Sequence, residues 1–341
     1  MAKTAIILFN LGGPDSPAAI RPFLFNLFND PAIIRLPQPM RWLLAQLISR
    51  RREKTASEIY GHMGGRSPIL PQTEAQARAL ELALGADFRV FIAMRYWKPF
   101  ADETARAVLA WNPDRILLLP LYPQFSTTTS GSSLKDWRRA AAAIGLDKPT
   151  ASIGCYPAEP GFIAAQLALI RQYLPKLAGQ DFRLLFSAHG LPKKIVDAGD
   201  PYQRQVEQSA AAIVAGLNLP GLDWGICYQS RVGPLQWIGP ATDAEIRRAG
   251  QDGKAILLVP LAFVSEHSET LVELDIEYAE LAHEHGVPAY HRVPTVGVTP
   301  AFIGGLADLV RQGRYDACIH PGPGAEPCPA GRFAGCPCQA A

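Results

Sequence analysis

Short apolar runs alternate with amphipathic segments along most of the 341-residue chain. Eight of the runs have the length of buried strands, and segments such as Gln72–Leu84 have the spacing of helices with one apolar face. The predicted strands are Ala5–Asn10, Arg89–Met94, Arg115–Leu121, Thr150–Gly154, Arg183–Ser187, Trp224–Cys227, Ile256–Leu261 and Pro288–Arg292. Strands that alternate with helices predict an α/β fold with mainly parallel sheets flanked by helices.

Two stretches of the chain share one pattern. "RILLLPLYPQFSTTTSGSSL" (Arg115–Leu134) and "AILLVPLAFVSEHSETLVEL" (Ala255–Leu274) each contain an apolar strand, then Pro-Leu, then the polar start of a helix. This repeat predicts two α/β halves, residues 1–170 and 171–312, followed by a tail of residues 313–341. Ligands of such sheets bind beyond the carboxyl ends of the strands, so the residues after each apolar run are the candidate site.

Composition narrows the function classes. With 48% apolar residues the chain can bury a large core, and a net charge of +2 gives no reason to expect nucleic-acid binding. No apolar stretch reaches the length of a membrane span, and the N-terminal apolar run fits a first strand better than a signal peptide. We therefore expect a cytoplasmic protein, in which the six cysteines are ligands or bystanders rather than disulfides.

The segment after the run Ala255–Phe263 carries an unusual set of acids. On a wheel of about 100° per residue, one stripe contains Glu269, Glu273, Glu277, Glu280 and Glu284. Apolar stripes flank it on both sides, which favours a helix with its carboxylates lining a groove over a simple solvated face. Such neighbouring carboxylates predict raised, coupled pKa values and an ability to accept protons or to handle a cation.

Two histidines follow strand ends in the same half. His189 lies in "SAHGLP" after one apolar run, and His267 lies two residues before Glu269 in "SEHSET". A single histidine at such a position is more often structural. Two imidazoles with a carboxylate suit a divalent metal such as Fe²⁺ or Zn²⁺, and they equally suit general base chemistry.

A long apolar and basic stretch lies near the N-terminus. "RPFLFNLFNDPAIIRLPQPMRWLLAQLISRRREK" (Arg21–Lys54) is rich in large apolar side chains and ends in a cluster of cations. It is either an ordinary core helix or an apolar lip over a cleft, able to contact a flat apolar ligand or a membrane surface. Arg50, Arg51 and Arg52 could pair with ligand carboxylates or anionic headgroups.

Several motifs together resemble the ferrochelatase family. They are "NLGGPDS", "YGHMGGRSPI", "MRYWKPF", "PLYPQFSTTTSGSS", "SAHGLPKKIVDAGDPY", "CYQSRVGPLQWIGPATDAEI" and "SEHSETLVELDIEY", in family order from about residue 5 to about residue 312. The resemblance implies a lyase that inserts Fe²⁺ into a porphyrin in the last step of haem synthesis. It also implies two Rossmann-like halves with the porphyrin cleft between them.

The resemblance also implies roles for individual residues. His189 would be the metal-site imidazole and proton acceptor facing Glu269, with His267 supporting Glu269 and with Glu273 and Glu277 continuing the acidic line. Positions that would contact the porphyrin or line its cleft are Leu11, Arg52, Tyr60, Ser67, Arg95, Tyr96 and Trp237. Glu266 departs from the family, in which Asp is common, and we expect little consequence.

The tail contains four of the six cysteines, Cys318, Cys328, Cys336 and Cys338. Four thiolates could hold a [2Fe–2S] cluster or a zinc ion, or could bind nothing. The resemblance is to bacterial ferrochelatases with a [2Fe–2S] cluster, which implies Cys155, Cys328, Cys336 and Cys338 as its ligands. Cys318 is the rival to Cys155 for the interior position.

The apolar lip favours protoporphyrin IX over the more polar coproporphyrin III as substrate. It also suggests peripheral membrane contact, and a tail ordered by a cluster could help to build a homodimer. The alternatives are a tetrapyrrole or metal carrier without turnover and a chelatase for another divalent metal, because imidazole and carboxylate accept several such ions.

Overall fold

The computed structural model describes residues 2–231 and 235–312. Within them eight strands occur, and all eight correspond to predicted ones with small differences at their ends. They are β1 (Thr4–Asn10), β2 (Phe88–Met94), β3 (Arg115–Pro120), β4 (Thr150–Ser152), β5 (Phe182–His189), β6 (Asp223–Gln229), β7 (Ala255–Pro260) and β8 (Tyr290–Arg292). The central strands β1, β3, β5 and β7 have nearly continuous apolar runs because they are buried on both faces, as in parallel sheets.

The strands form two four-stranded parallel sheets of the same topology. The orders are β2-β1-β3-β4 and β6-β5-β7-β8, which confirms the predicted α/β class with two Rossmann-like halves. The registers correspond as well, because Phe9 pairs with Pro120 in the first sheet and Ser187 pairs with Pro260 in the second. Two residues further on, Leu11 and His189 therefore occupy equivalent positions.

Helices cover both faces of each sheet. In chain order they are α1 (Ile20–Phe28), α2 (Met40–Gly61), α3 (Ile69–Leu84), α4 (Ala101–Trp111), α5 (Ser130–Ala143), α6 (Pro160–Tyr173), α7 (Lys193–Asp197), α8 (Tyr202–Leu217), α9 (Thr242–Gln251), a π-helix (Glu269–Glu277), α10 (Tyr278–Glu284) and α11 (Pro300–Arg311). The apolar lip predicted near residues 21–54 corresponds to α1, α2 and the segment between them.

One continuous core joins the two sheets. Alternate residues of the strands, such as Leu8 and Phe186, point into it and pack with side chains of α3, α6, α8 and α11. The other strand face of the first sheet, including Ile7, packs against α4 and α5, and that of the second packs against α9 and α10. Because successive side chains of a strand point to opposite faces of the sheet, each strand contributes to the hydrophobic layer on both of its sides.

The last described helix packs against helices of the first half. A Cβ atom on Gly161 of α6 would lie 2.4 Å from Ala301 O of α11, so the absence of a side chain permits this close crossing. The helix α11 also contacts α3. The division at residue 170 stays a prediction, since helices on both sides of it share this core.

Among the described residues, no helix has both the length and the apolar character needed to cross a membrane. The tail of residues 313–341, with Cys318, Cys328, Cys336 and Cys338, lies outside the described residues.

Candidate active site

The predicted pair of His189 and Glu269 forms at the carboxyl ends of adjacent strands. His189 ends β5 and Glu269 begins the π-helix that follows β7, and His189 Nδ1 lies 2.8 Å from Glu269 Oε2. The His189 side chain remains 41% exposed and that of Glu269 23%, so a ligand can reach both groups. The pair therefore lies where the strand-end rule expects a ligand, and its part in a site stays a prediction.

His267 lies behind this pair. It is buried, its Nε2 is 3.9 Å from Glu269 Oε1, and its Nδ1 is 3.1 Å from Ser265 O. Burial lowers its pKa, which favours the neutral ring. Because a carbonyl oxygen can only accept, Nδ1 carries the hydrogen, and Nε2 is left with a lone pair near Glu269.

Glu273 lies beside Glu269, and residues at the end of β6 form hydrogen bonds with both carboxylates. Ser230 N donates to Glu273 Oε1 at 2.9 Å, and Ser230 Oγ is 2.6 Å from Glu273 Oε2 and 3.2 Å from Glu269 Oε2. Gln229 Nε2 adds a bond of 3.1 Å to Glu273 Oε2. Ser230 has a positive φ of 58°, a conformation that is uncommon for residues other than glycine and that clusters at functional sites.

Sequence reasoning missed Gln229 and Ser230 as site residues. Both follow the apolar run of β6, so the rule that had selected His189 could also have selected them. An amide and a hydroxyl at a strand end, however, indicate no particular chemistry by themselves.

The protonation behaviour of the three groups is coupled. Burial disfavours the charge on His189, but the neighbouring Glu269 outweighs it and raises the pKa of the imidazole. Burial likewise opposes the charge on Glu269, but the attraction of His189 lowers the pKa of that carboxyl to about 2. Burial and the charge of Glu269 raise the pKa of Glu273. The predicted raised pKa is therefore correct for Glu273 and wrong for Glu269, because the wheel ignored His189.

The helix that carries the acids differs from the prediction. Residues Glu269–Glu277 form a π-helix, with an α-helix only from Tyr278 onward, so the wheel drawn with the α-helical period is wrong for this segment. Hydrogen bonds from distant residues to the π-helix, such as that of Tyr290 Oη to Leu274 O at 2.7 Å, cannot be inferred from the local sequence pattern. Glu269 and Glu273 face the site, whereas the rest of the predicted stripe, Glu277, Glu280 and Glu284, is exposed.

The N-terminal half contributes Tyr60 to the opposite side of this site. Tyr60, the second-last residue of α2, is 7% exposed and lies near Ser268 and Glu269. Burial raises its pKa to about 12, so the phenol stays neutral and can donate a hydrogen bond. Tyr60 thereby links the predicted porphyrin contacts to the predicted metal site.

The other predicted porphyrin contacts are spread over both halves. Leu11 follows β1, Ser67 is buried beside Gly13, and Trp237 lies against Gly190, the residue after His189. A Cβ atom on Gly190 would be 2.9 Å from Gln229 O and 3.4 Å from the Trp237 ring, so only glycine fits between them. Arg52 is exposed on α2, with its guanidinium 5.9 Å from the centre of the Phe28 ring.

Arg95 and Tyr96 are bound mainly by the protein itself. Asp30 Oδ2 accepts from Tyr96 Oη at 2.9 Å and from Ser132 Oγ at 2.7 Å, and it pairs with Arg95 Nη2 at 2.8 Å. Asp136 lies 3.6 Å from the other Arg95 nitrogen, Nη1. These contacts fix the wall of the N-terminal half at the ends of β1 and β2, and they use the hydroxyl hydrogen of Tyr96, whose side chain is buried.

Cys155, the predicted interior cluster ligand, is fully buried after β4, and its Sγ lies 3.2 Å from Gln205 Nε2. The three other predicted ligands lie outside the described residues. Cys227 is a buried core thiol, and burial raises its pKa to about 12. Within the described parts of the chain, no group of three or more His, Cys, Asp or Glu side chains could hold a metal ion.

Comparisons with known structures agree with this fold. SirB of Bacillus subtilis with Fe³⁺ matches with a TM-score of 0.56 and 13% identity, over 91% of this chain and 95% of that one. The sirohydrochlorin chelatase SirB of Bacillus subtilis subspecies spizizenii, in complex with cobalt, gives a TM-score of 0.52 at 13% identity, over 91% and 94%. At these identities the likeness concerns the fold alone.

Comparisons of sequence are more specific. Ferrochelatase of Phenylobacterium zucineum is 63% identical over 90% of each chain, and that of Caulobacter vibrioides is 59% identical over 91% of this chain and 90% of the relative. Ferrochelatase of Pelagibacter ubique is 49% identical over 98% of both chains. The ferrochelatase family profile matches residues 3–314. The resemblance seen in the motifs is confirmed, and the chain belongs to the ferrochelatase family of porphyrin metal chelatases.

Proposed function

We propose that this protein inserts Fe²⁺ into protoporphyrin IX, the terminal step of haem synthesis, with release of two protons. The observation that carries the proposal is the contact of 2.8 Å between His189 and Glu269 at the ends of adjacent strands. It places an imidazole and a carboxylate where an α/β sheet binds its ligands. Such a pair can both handle a divalent cation and accept a proton.

The pKa values favour Glu269 for handling the cation and Glu273 for accepting a proton. Glu269, with a pKa of about 2, stays ionised and is a weak base, which suits it to attract the cation. Glu273 has a raised pKa and is therefore the better proton acceptor of the two acids. Ser230 Oγ lies within hydrogen-bond distance of both and bridges them.

His189 accepts a proton only when its ring is neutral. Its pKa is raised by Glu269, which favours the charged ring paired with that carboxylate. The charge of an arriving Fe²⁺ ion disfavours the imidazolium, so metal arrival is coupled to loss of the His189 proton to solvent. The neutral ring can then take one pyrrole proton and pass it on to solvent, and Glu273, with its raised pKa, can take the other.

The porphyrin lies between the halves in this proposal. Leu11 and Trp237 provide apolar contacts, Tyr60 and Ser67 provide hydroxyl groups, and Arg52 provides a cation for a propionate. A planar porphyrin resists metal entry because two N–H groups occupy its centre. Binding energy of a close cleft can bend the ring and expose the nitrogen lone pairs. Arg95 and Tyr96, which Asp30 binds, shape the cleft wall rather than contacting polar groups of the ligand.

The apolar lip supports protoporphyrin IX over coproporphyrin III. Met40, Trp42, Leu43 and Leu47 of α2 are 45% to 59% exposed, an apolar surface that would not favour the additional carboxylates of coproporphyrin. The same surface, with Arg50 and Arg51 further along α2, suits peripheral contact with an anionic membrane. The cytoplasmic location and the homodimer stay part of this proposal.

The decisive experiment is anaerobic turnover with Fe²⁺ and each porphyrin, followed by loss of free-porphyrin fluorescence. We expect faster loss with protoporphyrin IX than with coproporphyrin III. No loss with either porphyrin would contradict the proposal and favour a carrier of tetrapyrrole or metal. Turnover only with another divalent metal would favour a different chelatase.

A [2Fe–2S] cluster held by Cys155, Cys328, Cys336 and Cys338 belongs to the proposal as well, with Cys318 as the rival of Cys155. Cys155 Sγ has no solvent exposure and lies 3.2 Å from Gln205 Nε2. The cluster and its three other ligands would therefore have to reach the protein interior at this position. The absorbance of the anaerobically purified protein tests it. A colourless protein that contains zinc or no metal would contradict the cluster.

A further inference from the structure

A helix of the N-terminal half holds the segment that leads into the metal site of the other half. Gln76 on α3 has no solvent exposure. Its Nε2 donates to Val264 O at 2.8 Å and to Gly297 O at 3.1 Å, and its Oε1 accepts from Ser265 Oγ at 3.0 Å. A buried amide is costly unless it is hydrogen-bonded, and here both of its donor hydrogens are used.

A second glutamine on the same helix extends this contact. Gln72 lies four residues before Gln76 and therefore on the same face of α3. Its Oε1 accepts from Glu266 N at 2.7 Å. The two glutamines thus bind Val264, Ser265 and Glu266, the three residues directly before His267.

The contact reaches the site through Ser265. The carbonyl of Ser265 lies 3.1 Å from His267 Nδ1 and fixes which ring nitrogen carries the hydrogen, while the hydroxyl of the same residue donates to Gln76. His267 in turn lies 3.9 Å from Glu269. A shift of this segment would therefore move the imidazole relative to the carboxylate that faces the cation.

The helix α3 also begins at the predicted porphyrin contacts. Its first residue, Ile69, donates its backbone N–H to Ser67 Oγ at 3.3 Å. One rigid helix thereby spans from a residue on the porphyrin side to the segment on the metal side. The distance between two such groups is better fixed by a helix than by a loop, because the helix has few internal degrees of freedom.

The geometry points to Gln76 as a positioning residue for iron insertion: from the N-terminal half it holds the segment Val264–Glu266, and through it the His267 ring, against Glu269. This inference rests on the proposed function, because it assigns Gln76 a part in that reaction. Gln76 does not touch a reacting atom. Its effect is expected on the metal step rather than on porphyrin binding.

The variant Gln76→Met keeps the length of the side chain and removes its hydrogen bonds. We expect kcat for iron insertion to fall about tenfold or more, as for other residues that orient a metal ligand, while the KM for porphyrin stays within about twofold. The matched control is Leu80→Ala, one turn further along α3 and packed in the core. It should lower the free energy of unfolding by about 2–5 kcal/mol without changing kcat of the folded enzyme.

The combination of Gln76→Met with His267→Ala separates positioning from general destabilisation. If Gln76 acts through His267, the double variant loses less activity than the product of the two single losses. Independent, multiplicative losses would overturn the inference. So would an unchanged kcat in Gln76→Met.

A second readout does not need turnover. The ring nitrogen signals of His267 in an NMR spectrum report its tautomer, which we expect to change in Gln76→Met and to stay unchanged in Leu80→Ala. An unchanged tautomer in Gln76→Met would overturn the inference even if the enzyme is active. An inactive wild-type protein with the expected tautomer change would instead reject the proposed function and leave the positioning of His267 by Gln76 supported.

Discussion

The two halves of the molecule have the same sheet order and register, but their strand ends carry different side chains. Leu11 at the end of β1 is equivalent in register to His189 at the end of β5. Arg95 and Tyr96, which follow β2, are equivalent in register to Gln229, the last residue of β6, and Ser230. The scaffold therefore fixes where side chains meet, and the residues at those positions decide what the half can do.

The buried carboxylates make the contrast sharper. In the N-terminal half Asp30 is neutralised by Arg95 and further bound by Tyr96 and Ser132. In the C-terminal half Glu269 and Glu273 are bound by hydroxyl, amide and imidazole groups, of which only the imidazole can be charged. A guanidinium stays charged and permanently neutralises its carboxylate, whereas an imidazolium can lose its proton to solvent when a cation arrives. The N-terminal half is thereby suited to shaping a binding cleft, and the C-terminal half is suited to handling a metal ion and protons.

His189 and Leu11 occupy equivalent positions in the two halves, and removing the imidazole of His189 should have the largest effect. His189→Ala should reduce iron insertion by on the order of 10²–10⁴-fold, the usual contribution of a general base, and should leave porphyrin binding nearly intact. Leu11→Ala is the matched change in the other half and should weaken porphyrin binding by about tenfold through lost apolar contact. Turnover and porphyrin affinity are measured for both variants. Near-normal turnover of His189→Ala would contradict the assigned roles.

The second prediction concerns the charge that raises the pKa of His189. In Glu269→Gln this attraction is lost while burial remains, so the pKa of His189 should fall below that of the wild type. The pH at which iron insertion begins to rise should move to lower pH together with it, because the base must be neutral. An NMR titration of the His189 ring measures the first effect, and the pH dependence of kcat/KM measures the second.

The same pair makes folding stability depend on pH. The pKa of His189 is raised in the folded protein, so its contribution is complete below the ordinary value of 6.5 and is lost as the pH rises through the folded value. The pKa of Glu269 is lowered to about 2, so its contribution exists above the ordinary value of 4.5 and is lost as the pH falls toward 2. Asp308→Asn, which removes one exposed charge on α11, is the control. It should leave the pKa values of His189 and Glu269 unchanged. A pKa of His189 that is unchanged in Glu269→Gln would contradict the assumed coupling.

The comparison also separates what the sequence could predict from what it could not. The central strands were predictable because burial on both faces leaves continuous apolar runs. The strand-end rule selects the positions of His189 and Glu269, whose roles stay predictions. The π-helix was not, since its residues also fit an α-helical period. Gln76 was not either, because its partner Val264 lies 188 residues away and a glutamine on an amphipathic helix gives no signal of its own.

The smallest expected effect on turnover comes from the buried charge of the N-terminal half. Asp30→Asn leaves the shape of the side chain but removes the charge that pairs with Arg95, whose side chain is only 20% exposed. Loss of one partner of a buried pair costs about 3–5 kcal/mol, and the partial exposure of Arg95 should bring the loss in the free energy of unfolding to the lower end of that range. Asp102→Asn, which breaks the more exposed pair with Arg139, should cost less than about 1 kcal/mol. Urea unfolding followed by circular dichroism measures both values.

In the proposed division of roles Asp30 shapes the cleft wall without handling metal or protons, so kcat of the folded Asp30→Asn protein should stay within about twofold of the wild type. A fall in kcat comparable to that of His189→Ala would show that the N-terminal half takes part in the chemistry, and the division between a shaping half and a reacting half would then be wrong.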